Sequence, residues 1–519
     1  MIITLIRFPL IAPFGSLNNE PTPPIGLAYI ASSCKKDGII VKGIDATGRN
    51  LDKIFKIDYG NLQGNGLEIG EILKLIDPKT KIFGISVMFS HEWTYIKNCI
   101  KILKKKFPKA IIVTGGEHVT ALPEFTLNDC KEIDYICMGE GEETWSEISE
   151  QILKKQNIDN LKGIAYLKKN NFILNEPRER IKEVDKIPWP DWNIFPIDPY
   201  LDNAISFGAG SGRNMPFLAS RGCPYECTFC SNPLMFGRRY YLRSINDVIS
   251  EIKFYIKKYK ITGLQFYDLT AIVKKDWIID FCKALKENKI NLEWSLPSGT
   301  RSEALDSEVI KNLSKANLKY LVYAPESGSQ ETLKLIKKKI KLNVMEQSIR
   351  YAVKQGVSVR TNLIIGFPHE KRIELYKTIY QQIKFMVMGV EESPVYPFQA
   401  YPGTELFDSL LKEKKIKLND KYFNSLATLS TGKLTPPDIS YNKFIGRYEL
   451  YFYRISGLVL SYMISYITRP KRIFRTIKSI FSDKSATVIE QRLKDNLRKS
   501  KIFTKYIKPF VQNKIFKNV

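Results

Sequence analysis

The chain has 519 residues and carries 80 Lys and Arg against 54 Asp and Glu, a formal net charge of +26. This length is too great for one ordinary hydrophobic core and predicts about two to four domains, while a hydrophobic fraction of 44% excludes a chain that is disordered throughout. Eight cysteines in so long a chain exclude a disulfide scaffold and indicate a reducing compartment, so we expect a cytoplasmic location. The sequence contains no run of about 18 uncharged apolar residues that could span a membrane.

The first 150 residues alternate strand patterns with helix patterns. The apolar runs that predict strands are IITLIRF, IIVKGID, KIFGISVMF, AIIVTGG and DYICMG. The first of these lacks a basic leader and a cleavage site, so it predicts a strand rather than a signal peptide. Helical stretches such as TYIKNCIKILKKKF separate the strands, and this alternation predicts a doubly wound, Rossmann-like parallel sheet. Ligands bind beyond the carboxyl ends of such strands, where the candidate loop residues are Asp45, Ser86, Gly115, Gly116, Gly139 and Gly141.

Residues 151–209 form a predicted connector. Within it, LKGIAYLKKNNFILNEP predicts a hairpin that turns at Asn170 and Asn171. The stretch IPWPDWNIFPIDPY contains four prolines, which makes it unsuitable for a regular helix or strand.

A second alternation occupies residues 210–411. The predicted strands are PFLASRG, GLQFYD, LEWSLPS, YLVYAPE, SVRTNLIIGF and PVYPFQAYP. About six strand–helix units predict a partial TIM-type (β/α)6 barrel, whose chemistry would lie at the carboxyl ends of its strands. Residues 412–519 predict a basic helical C-terminal region, with 18 Lys and Arg against 4 Asp and Glu from Tyr441 to Val519. Such an excess is typical of a surface that meets an anionic partner, although solvated helix faces would give the same composition.

Three cysteines stand close together in RGCPYECTFC, at Cys223, Cys227 and Cys230, directly after the first strand of this second alternation. A structural zinc site needs four ligands, and the remaining candidates are distant: Cys282 and the histidines His91, His118 and His369. An iron–sulfur cluster with three protein ligands leaves one iron open to a substrate or cofactor, and this spacing lets one short loop surround a cubane. The loop therefore favours the cluster, with zinc as the alternative.

The C-x3-C-x2-C spacing, with an aromatic residue before the last cysteine, resembles the radical S-adenosylmethionine (SAM) superfamily. The resemblance implies a [4Fe–4S] cluster on the three cysteines, whose open iron holds SAM and whose electron cleaves SAM to a 5′-deoxyadenosyl radical. Further segments resemble the family in chain order, namely YAPESGSQETLKLIKK, TNLIIGFPHE and PFQAYPGTELF. By this resemblance the residues expected near SAM are Phe229, Asp268, Arg301, Glu326, Ser327, Gly366 and Glu370.

The N-terminal segments PPIGLAYIAS, GIDAT, ISVMFS, TGGEHVTALPE and DYICMGEGEET resemble the cobalamin-binding domain of one subgroup of this superfamily. The resemblance assigns the strand-end residues named above to cobalamin. It adds His118 as a loop group near the corrin, whereas His91 is expected to be structural. The Asp-x-His-x-x-Gly motif that supplies a cobalt-binding histidine in other cobalamin proteins is absent from this sequence. We therefore expect cobalt without a protein imidazole; the alternatives are a doubly wound domain that binds another ligand and one that has lost cobalamin.

Together the two resemblances imply methylation of an unactivated carbon in a small-molecule or lipid-like substrate. Relatives with the same architecture carry out oxidative cyclisation or rearrangement, and these motifs do not separate the outcomes. RNA modification is a further alternative, but the N-terminal cysteines lack the spacing of a second cluster, so nucleic acid is not expected as a partner. The expected partners are a small-molecule or lipid-linked substrate and an electron donor such as flavodoxin or ferredoxin. The basic C-terminal region adds a hypothesis of peripheral membrane contact.

Overall fold

The computed structural model describes residues 1–16, 21–205, 212–430 and 435–480, together with residues 487 and 490. The strands are β1 (Ile2–Arg7), β2 (Leu10–Pro13), β3 (Ile40–Asp45), β4 (Ile54–Ile57), β5 (Leu62–Asn65), β6 (Thr80–Ser86), β7 (Ile111–Gly115), β8 (Tyr135–Cys137), β9 (Ile164–Lys168), β10 (Asn171–Leu174), β11 (Asn214–Phe217), β12 (Ser220–Gly222), β13 (Tyr240–Leu242), β14 (Gly263–Phe266), β15 (Glu293–Thr300), β16 (Leu318–Glu326), β17 (Ser358–Ile365) and β18 (Val395–Pro397).

The helices are α1 (Ile25–Ser33), α2 (Ile69–Leu75), α3 (Trp93–Lys106), α4 (Glu117–Ala121), α5 (Pro123–Asp129), α6 (Glu142–Leu153), α7 (Asp198–Asp202), α8 (Asn232–Phe236), α9 (Ile245–Tyr259), α10 (Lys275–Glu287), α11 (Ser307–Lys315), α12 (Gln330–Leu335), α13 (Leu342–Lys354), α14 (Arg372–Met388), α15 (Glu405–Lys412), α16 (Asp420–Ser430), α17 (Arg447–Thr468) and α18 (Lys471–Ile480). Short 3₁₀ turns lie at Ser90–Glu92 and Val184–Lys186.

The described residues divide into two compact units that do not follow chain order. The first unit groups Met1–Pro199, Ser220–Asp247 and Gln399–Thr431, and the second groups Tyr200–Ala219, Val248–Phe398 and Gly432–Val519, as far as these residues are described. The domain boundaries expected after residues 150, 209 and 411 mark changes of sequence pattern and stay a prediction. The finding that matters for function is that the cysteine loop belongs to the same unit as the N-terminal sheet.

The first unit is built on a seven-stranded sheet with the order β10-β9-β8-β7-β6-β1-β3. The strands from β8 to β3 are parallel, which confirms the doubly wound arrangement expected from alternating strands and helices. Ile3, Leu5 and Ile6 of β1 are all buried. Such a continuous apolar run is typical of a central parallel strand, because helices cover both faces of the sheet.

The predicted connector hairpin extends this same sheet. β9 and β10 pair with each other, and β9 adds antiparallel to β8. The turn residues are Lys169 and Asn170, both with positive φ, so the turn lies one residue earlier than predicted. A small sheet of β2, β5 and β4 had no sequence signal, because β5 reads LQGN and is fully buried without an apolar alternation.

The second unit contains six parallel strands in the order β11-β14-β15-β16-β17-β18, with helices between them. This confirms the partial (β/α)6 barrel. The helices are amphipathic at the expected spacing, as in α10, whose buried residues are Ile278, Phe281, Cys282 and Leu285. Phe281 contacts Phe266 of β14 and Trp294 of β15 with ring centroids 5.6 and 5.5 Å away, which joins helix to sheet through a small aromatic core.

The C-terminal region is helical where it is described, as expected. Helix α17 packs against α14 and β18 in the second unit. Residues 481–486, 488–489 and 491–519, which belong to the predicted basic region, lie outside the described residues. Within the described part of the chain, neither α17 nor any other helix is long and apolar enough to cross a membrane.

Candidate functional site

The cysteine loop begins where β12 ends, at a glycine that no other residue can replace without strain. Gly222 has φ +86°, and a Cβ there would lie 2.2 Å from the carbonyl oxygen of Arg239. The chain therefore turns sharply just before Cys223. It closes on itself at the other end, where the Cys230 N–H donates to the Cys227 carbonyl over 3.1 Å.

The three cysteines of the loop are accessible, unlike the five others. Cys223 and Cys227 are half-buried and Cys230 is exposed, whereas Cys34, Cys99, Cys130, Cys137 and Cys282 are buried. Surrounding protein atoms nevertheless raise the pKa of the Cys230 thiol to about 12, and the neighbouring Cys227 and Cys223 add to the effect. All three thiols of this loop thus keep exposed surface, at which a bound group can meet them.

The donor set of the loop fits a cluster. A structural zinc site takes four protein ligands, whereas a cubane held by three cysteines leaves one iron open, and three cysteines on one short loop provide that set. Cys223, Cys227 and Cys230 are therefore the residues that would hold a [4Fe–4S] cluster.

A buried ion pair joins the cysteine loop to the N-terminal sheet. Arg221 Nη2 lies 2.8 Å from Glu142 Oε1, and both side chains are about nine-tenths buried. The contact is a charge pair rather than an aligned hydrogen bond. The Arg221 guanidinium also stacks 4.6 Å from the ring centroid of Tyr29 in α1. Because Glu142 opens α6 just after the carboxyl end of β8, this pair holds the chain two residues before Cys223 against that loop.

Two further contacts support this connection. Arg180 of the connector donates from Nε and Nη2 to Glu140, over 2.5 and 3.1 Å, and its guanidinium lies 5.3 Å from the ring centroid of Phe236, just after the cysteine loop. On the other side of the cysteines, the Ser231 hydroxyl donates to Glu117 Oε1 over 2.6 Å. Burial raises the pKa of the Glu117 carboxyl, and the Ser231 hydrogen bond opposes that rise. The loop is thus held on both flanks by carboxylates that follow strands β7 and β8.

The residues predicted to contact cobalamin lie at the carboxyl edge of this sheet. Asp45, Ser86 and Gly115 are the last residues of β3, β6 and β7. Gly116 has φ +124°, and a Cβ there would lie 2.6 Å from the Val87 carbonyl oxygen, so only glycine lets the loops after β6 and β7 pack this closely.

The glycines after β8 complete this edge. The Gly139 N–H donates to Thr120 Oγ1 over 3.2 Å, and a Cβ on Gly139 would lie 3.3 Å from the Met235 carbonyl of α8. Gly141 caps α6, and a Cβ there would lie 2.8 Å from Ile30. These contacts show that glycine is needed at both positions because neighbouring protein atoms leave little or no room for a side chain. Their individual contacts with cobalamin stay a prediction.

His118 lies beneath the edge rather than on it. Its ring is fully buried, stacks on Trp93 at 4.9 Å and meets the edge of Phe423 at 5.3 Å. Its Nδ1 shares a 3.0 Å hydrogen bond with Ser90 Oγ. Burial lowers the pKa of His118 to about 3, so the ring stays neutral. It is placed to support the loop around Ser90, and its predicted role toward cobalamin stays untested. His91 stacks on Phe89 at 5.7 Å.

The residues predicted to contact SAM follow successive parallel strands of the second unit. Asp268, after β14, is fully buried, and its carboxylate accepts the Ala219 N–H over 3.1 and 3.2 Å. Arg301, after β15, is also buried and donates to Glu303 and to the Lys339 carbonyl. Phe229, by contrast, is a half-buried residue of the cysteine loop. Parallel strands end at one edge of a sheet, so Asp268 and Arg301 share the edge where barrel ligands bind.

The segment after β16 is held by its own side chains. Glu326 has φ +65° and forms a 3.0 Å ion pair with Lys338, with both residues buried. The Ser327 hydroxyl shares a 3.0 Å hydrogen bond with Thr378 and accepts the Ser329 N–H. A left-handed conformation is costly for a residue with a side chain, so the pair with Lys338 and these bonds must hold it.

The turn after β17 contains a buried carboxylate whose hydrogen bonding is incomplete. The Gly366 N–H donates to Glu370 Oε2 over 2.5 Å, whereas the buried Glu370 Oε1 has no hydrogen-bond partner. Burial raises the pKa of Glu370 to about 8, although its backbone contacts oppose this. Asn442 closes the turn by donating to the carbonyls of Phe367 and Glu370. An orphaned buried oxygen at this edge fits a donor group of a bound nucleoside.

Sequence reasoning missed the charged residues that position the cysteine loop. These are Glu117, Glu140, Glu142, Arg180 and Arg221. The sequence does show that these residues adjoin the predicted sites, since Arg221 directly precedes the Gly-Cys pair and the glutamates directly follow the glycines of TGGE and MGEGEE. No local pattern shows which arginine pairs with which glutamate.

Comparison with known proteins agrees with this geometry. Residues 217–379 match the family model of the radical SAM superfamily, and residues 19–149 match that of the B12 binding domain. The fold and site therefore define a radical SAM enzyme that carries an N-terminal cobalamin-binding domain.

Among curated proteins, an uncharacterised methyltransferase of Pyrococcus horikoshii is 30% identical over 479 residues, which is 92% of this chain and 94% of that protein. The cytidylyl-2-hydroxyethylphosphonate methyltransferase of Streptomyces wedmorensis is 27% identical over 376 residues, 67% of this chain and 69% of that protein. The chain belongs to the cobalamin-dependent radical SAM methyltransferase family, and its cofactors are a [4Fe–4S] cluster, SAM and cobalamin.

Solved structures share the fold at low sequence identity. The methyltransferase TsrM of Kitasatospora setae, with cobalamin and a [4Fe–4S] cluster bound, has a TM-score of 0.60 and 16% identity over 79% of this chain and 78% of its own. The cobalamin-dependent SAM radical enzyme OxsB has a TM-score of 0.61 and 18% identity over 98% of this chain and 71% of its own.

Proposed function

We propose that this enzyme methylates an unactivated carbon of a small-molecule or lipid-like substrate. The observation that carries the proposal is that the cysteine loop and the carboxyl-edge loops of the N-terminal sheet are held together within one compact unit. Ion pairs to Glu140 and Glu142 and the Ser231–Glu117 hydrogen bond form that connection. Radical generation and methyl donation can therefore occur next to one another, which methyl transfer to a carbon radical requires.

The bound cofactors would supply the radical, from SAM at the cluster, and the methyl group, by way of cobalamin. The residues of the chain hold and orient these groups. Cys223, Cys227 and Cys230 would bind three irons and leave the fourth for SAM. Gly116 and Gly139, whose positive φ shapes the turns after β7 and β8, would lie among the loops that hold cobalamin. At the barrel edge, Glu370 offers a carboxyl that burial keeps largely protonated at neutral pH.

The activities of several relatives support methylation over rearrangement. The relatives from Pyrococcus horikoshii and Streptomyces wedmorensis are methyltransferases, and a hopanoid C-3 methylase of Methylococcus capsulatus is 23% identical over 313 residues. An anaerobic magnesium-protoporphyrin IX monomethyl ester cyclase of Cereibacter sphaeroides is also similar, with 24% identity over 454 residues. Cyclisation is therefore the outcome that an experiment must separate from methylation.

Anaerobic reconstitution with iron, sulfide and cobalamin tests the proposal. We expect the absorbance and electron paramagnetic resonance signals of a cluster, release of 5′-deoxyadenosine from SAM, and transfer of isotope-labelled methyl from SAM to product. Cys227→Ala should lose the cluster signals. The matched control is Cys282→Ala, whose thiol is buried in α10 outside the loop and which should keep them. An intact cluster that forms no 5′-deoxyadenosine would remove the radical proposal, and a product without labelled methyl would favour cyclisation.

The expected protein partner is a one-electron donor such as a flavodoxin or ferredoxin. A cluster of this kind must be reduced before each radical is made, and the formal net charge of +26 is complementary to an acidic donor. We expect the rate of cluster reduction by flavodoxin to fall as salt is raised from about 50 to 300 mM, because screening weakens long-range attraction. A rate that is independent of salt would contradict an electrostatic docking of the donor.

A further inference from the structure

Helices α14, α17 and α18 of the second unit carry a group of large apolar side chains that are exposed. We call this group the apolar helix face. Its members are Ile373, Tyr376, Tyr380 and Val387 on α14, Tyr448, Phe452, Val459, Met463 and Ile467 on α17, and Ile473, Phe474 and Ile477 on α18. Helix α14 packs against α17, and α17 packs against α18. Exposed apolar residues that are scattered singly need no explanation, but a group of twelve on three neighbouring helices indicates a binding surface.

Helix α17 has an inverted distribution of side chains. The exposed apolar residues, spaced by four and seven positions, form one stripe along the helix. The buried residues on the other side are Leu450, Arg454, Gly457, Ser461 and Ser465, of which four are polar or small. A helix that only packs on its own protein buries its apolar side. Here that side faces outward, so an apolar environment outside the unit explains the sequence.

Specific polar contacts fix this inverted orientation. The buried Gln382 of α14 donates to the Gly457 carbonyl over 3.1 Å and to Ser461 Oγ over 2.8 Å. Arg472 of α18 donates to Ser465 Oγ over 2.7 Å. Buried polar groups must find such partners, and rotating α17 to hide the apolar stripe would break them. The exposed stripe is therefore a stable feature of the unit.

The exposed side chains of α14 and α17 are continuous. The rings of Tyr376 and Tyr453 lie 6.1 Å apart across the two helices, and Phe452 contacts Tyr453 at 5.5 Å. Tyrosine and phenylalanine at such a surface are typical of residues that enter the boundary between lipid headgroups and acyl chains.

The charge around the apolar helix face is almost entirely positive. Residues 443–480 contain eight Lys and Arg and one acidic residue, Glu449. Glu449 forms a 2.8 Å ion pair with Arg372 of α14. Lys443, Arg447, Lys471 and Lys478 are exposed. An apolar stripe beside exposed basic residues complements an anionic lipid surface. The acyl chains of the lipid match the apolar stripe, and the negative headgroups match the basic residues.

We propose that the apolar helix face binds the surface of an anionic lipid bilayer, with α14, α17 and α18 lying on the membrane. A second copy of the chain would bring two positive faces together. Residues 491–519, which lie outside the described part, contain nine Lys and Arg against one Asp and are equally unsuited to cover a basic surface. The proposal concerns where the enzyme works and is independent of the reaction proposed above.

Sedimentation of the full chain with vesicles tests the proposal. Vesicles of phosphatidylcholine are compared with vesicles in which about a third of the lipid is phosphatidylglycerol. We expect binding to the anionic vesicles to be at least about tenfold stronger than to the neutral ones, and to fall with added salt. The double variant Phe452→Ser and Ile467→Ser should lose at least about tenfold in binding to the anionic vesicles.

The matched control replaces two exposed apolar residues of the first unit, Ile54→Ser and Leu174→Ser, and this variant should bind vesicles as the unchanged protein does. Both double variants should keep the cluster absorbance, because neither changes the cysteine loop or its contacts, so loss of vesicle binding is distinguishable from loss of fold or function. Equal binding by the Phe452/Ile467 variant, or no preference for anionic vesicles, would overturn the proposal. Light scattering that shows a dimer dissolved by the same two substitutions would assign the face to a second copy instead.

Discussion

Arg221 and Glu142 form a buried ion pair, 2.8 Å between Nη2 and Oε1, that ties the start of the cysteine loop to the loop after β8. A charge buried without its partner is costly, of the order of 3–5 kcal/mol, so this pair is a specific point at which the cluster loop and the cobalamin-binding sheet depend on each other. If Glu142 were removed, the unpaired Arg221 guanidinium would remain buried against the Tyr29 ring.

We therefore expect Glu142→Ala to lower the thermal unfolding temperature of the first unit and to reduce the iron bound after reconstitution. The measurement is calorimetry together with iron and sulfide content. Glu150→Gln is the matched control on the same helix, because it breaks exposed pairs with Lys36 and Lys154 that contribute little. Equal behaviour of the two variants would show that the buried pair does not position the loop.

Gly222 provides a second test of the loop, through backbone geometry instead of charge. In Gly222→Ala the new Cβ would lie 2.2 Å from the Arg239 carbonyl, so the strand pair β12–β13 must shift and displace Cys223. We expect cluster occupancy to fall several-fold, measured by absorbance near 400 nm per protein. Gly237→Ala is the control, since Gly237 also has positive φ but a Cβ there meets no atom within 4 Å. A normal cluster in Gly222→Ala would contradict the placement of this turn.

Glu370 gives the enzyme a pH-dependent stability. Burial raises its pKa to about 8 in the folded chain, against a usual value of 4.5. The folded state therefore holds a proton that the unfolded state has released, and folding loses up to about 1.4 kcal/mol per pH unit as the pH rises between these values. Glu370→Gln carries no charge at this position at any pH. The stability of this variant relative to the unchanged protein should therefore increase as the pH is raised from 5 to 8. Unfolding temperatures measured across that range check this, and a constant difference would contradict a raised pKa.

His118 should not bind cobalt. Its Nδ1 is engaged by Ser90, and although its Nε2 has no hydrogen-bond partner in the described part of the chain, the ring is fully buried between Trp93 and Phe423 and has no exposed surface to offer a ligand. We expect the paramagnetic resonance spectrum of bound cob(II)alamin to lack the nitrogen splitting that an imidazole ligand gives, and His118→Phe to leave that spectrum unchanged. Nitrogen splitting that disappears in His118→Phe would show that the histidine reaches the metal.

Much of the fold could be predicted because its signals are local. The run KIFGISVMF covers β6 from its second residue onward, and the stretch TYIKNCIKILKKKF covers α3 from its second residue to its end. The three-stranded sheet of β2, β4 and β5 could not be predicted, since LQGN carries no alternation and is buried by neighbours from elsewhere in the chain. The turn at Lys169 and Asn170 was displaced by one residue, which is the usual precision of an element boundary.

The sequence by itself indicated the chemistry of the cysteine loop, because the spacing of Cys223, Cys227 and Cys230 lets one short loop surround a cubane and resembles that of the radical SAM superfamily. Only the tertiary structure decided that this loop belongs with the N-terminal sheet and that Arg221 finds Glu142 there. It also decided that α17 turns its apolar side outward, since that depends on where Gln382 meets Gly457 and Ser461. Periodicity records what each segment can form, whereas the pairing of buried charges and amides depends on residues that only folding brings together.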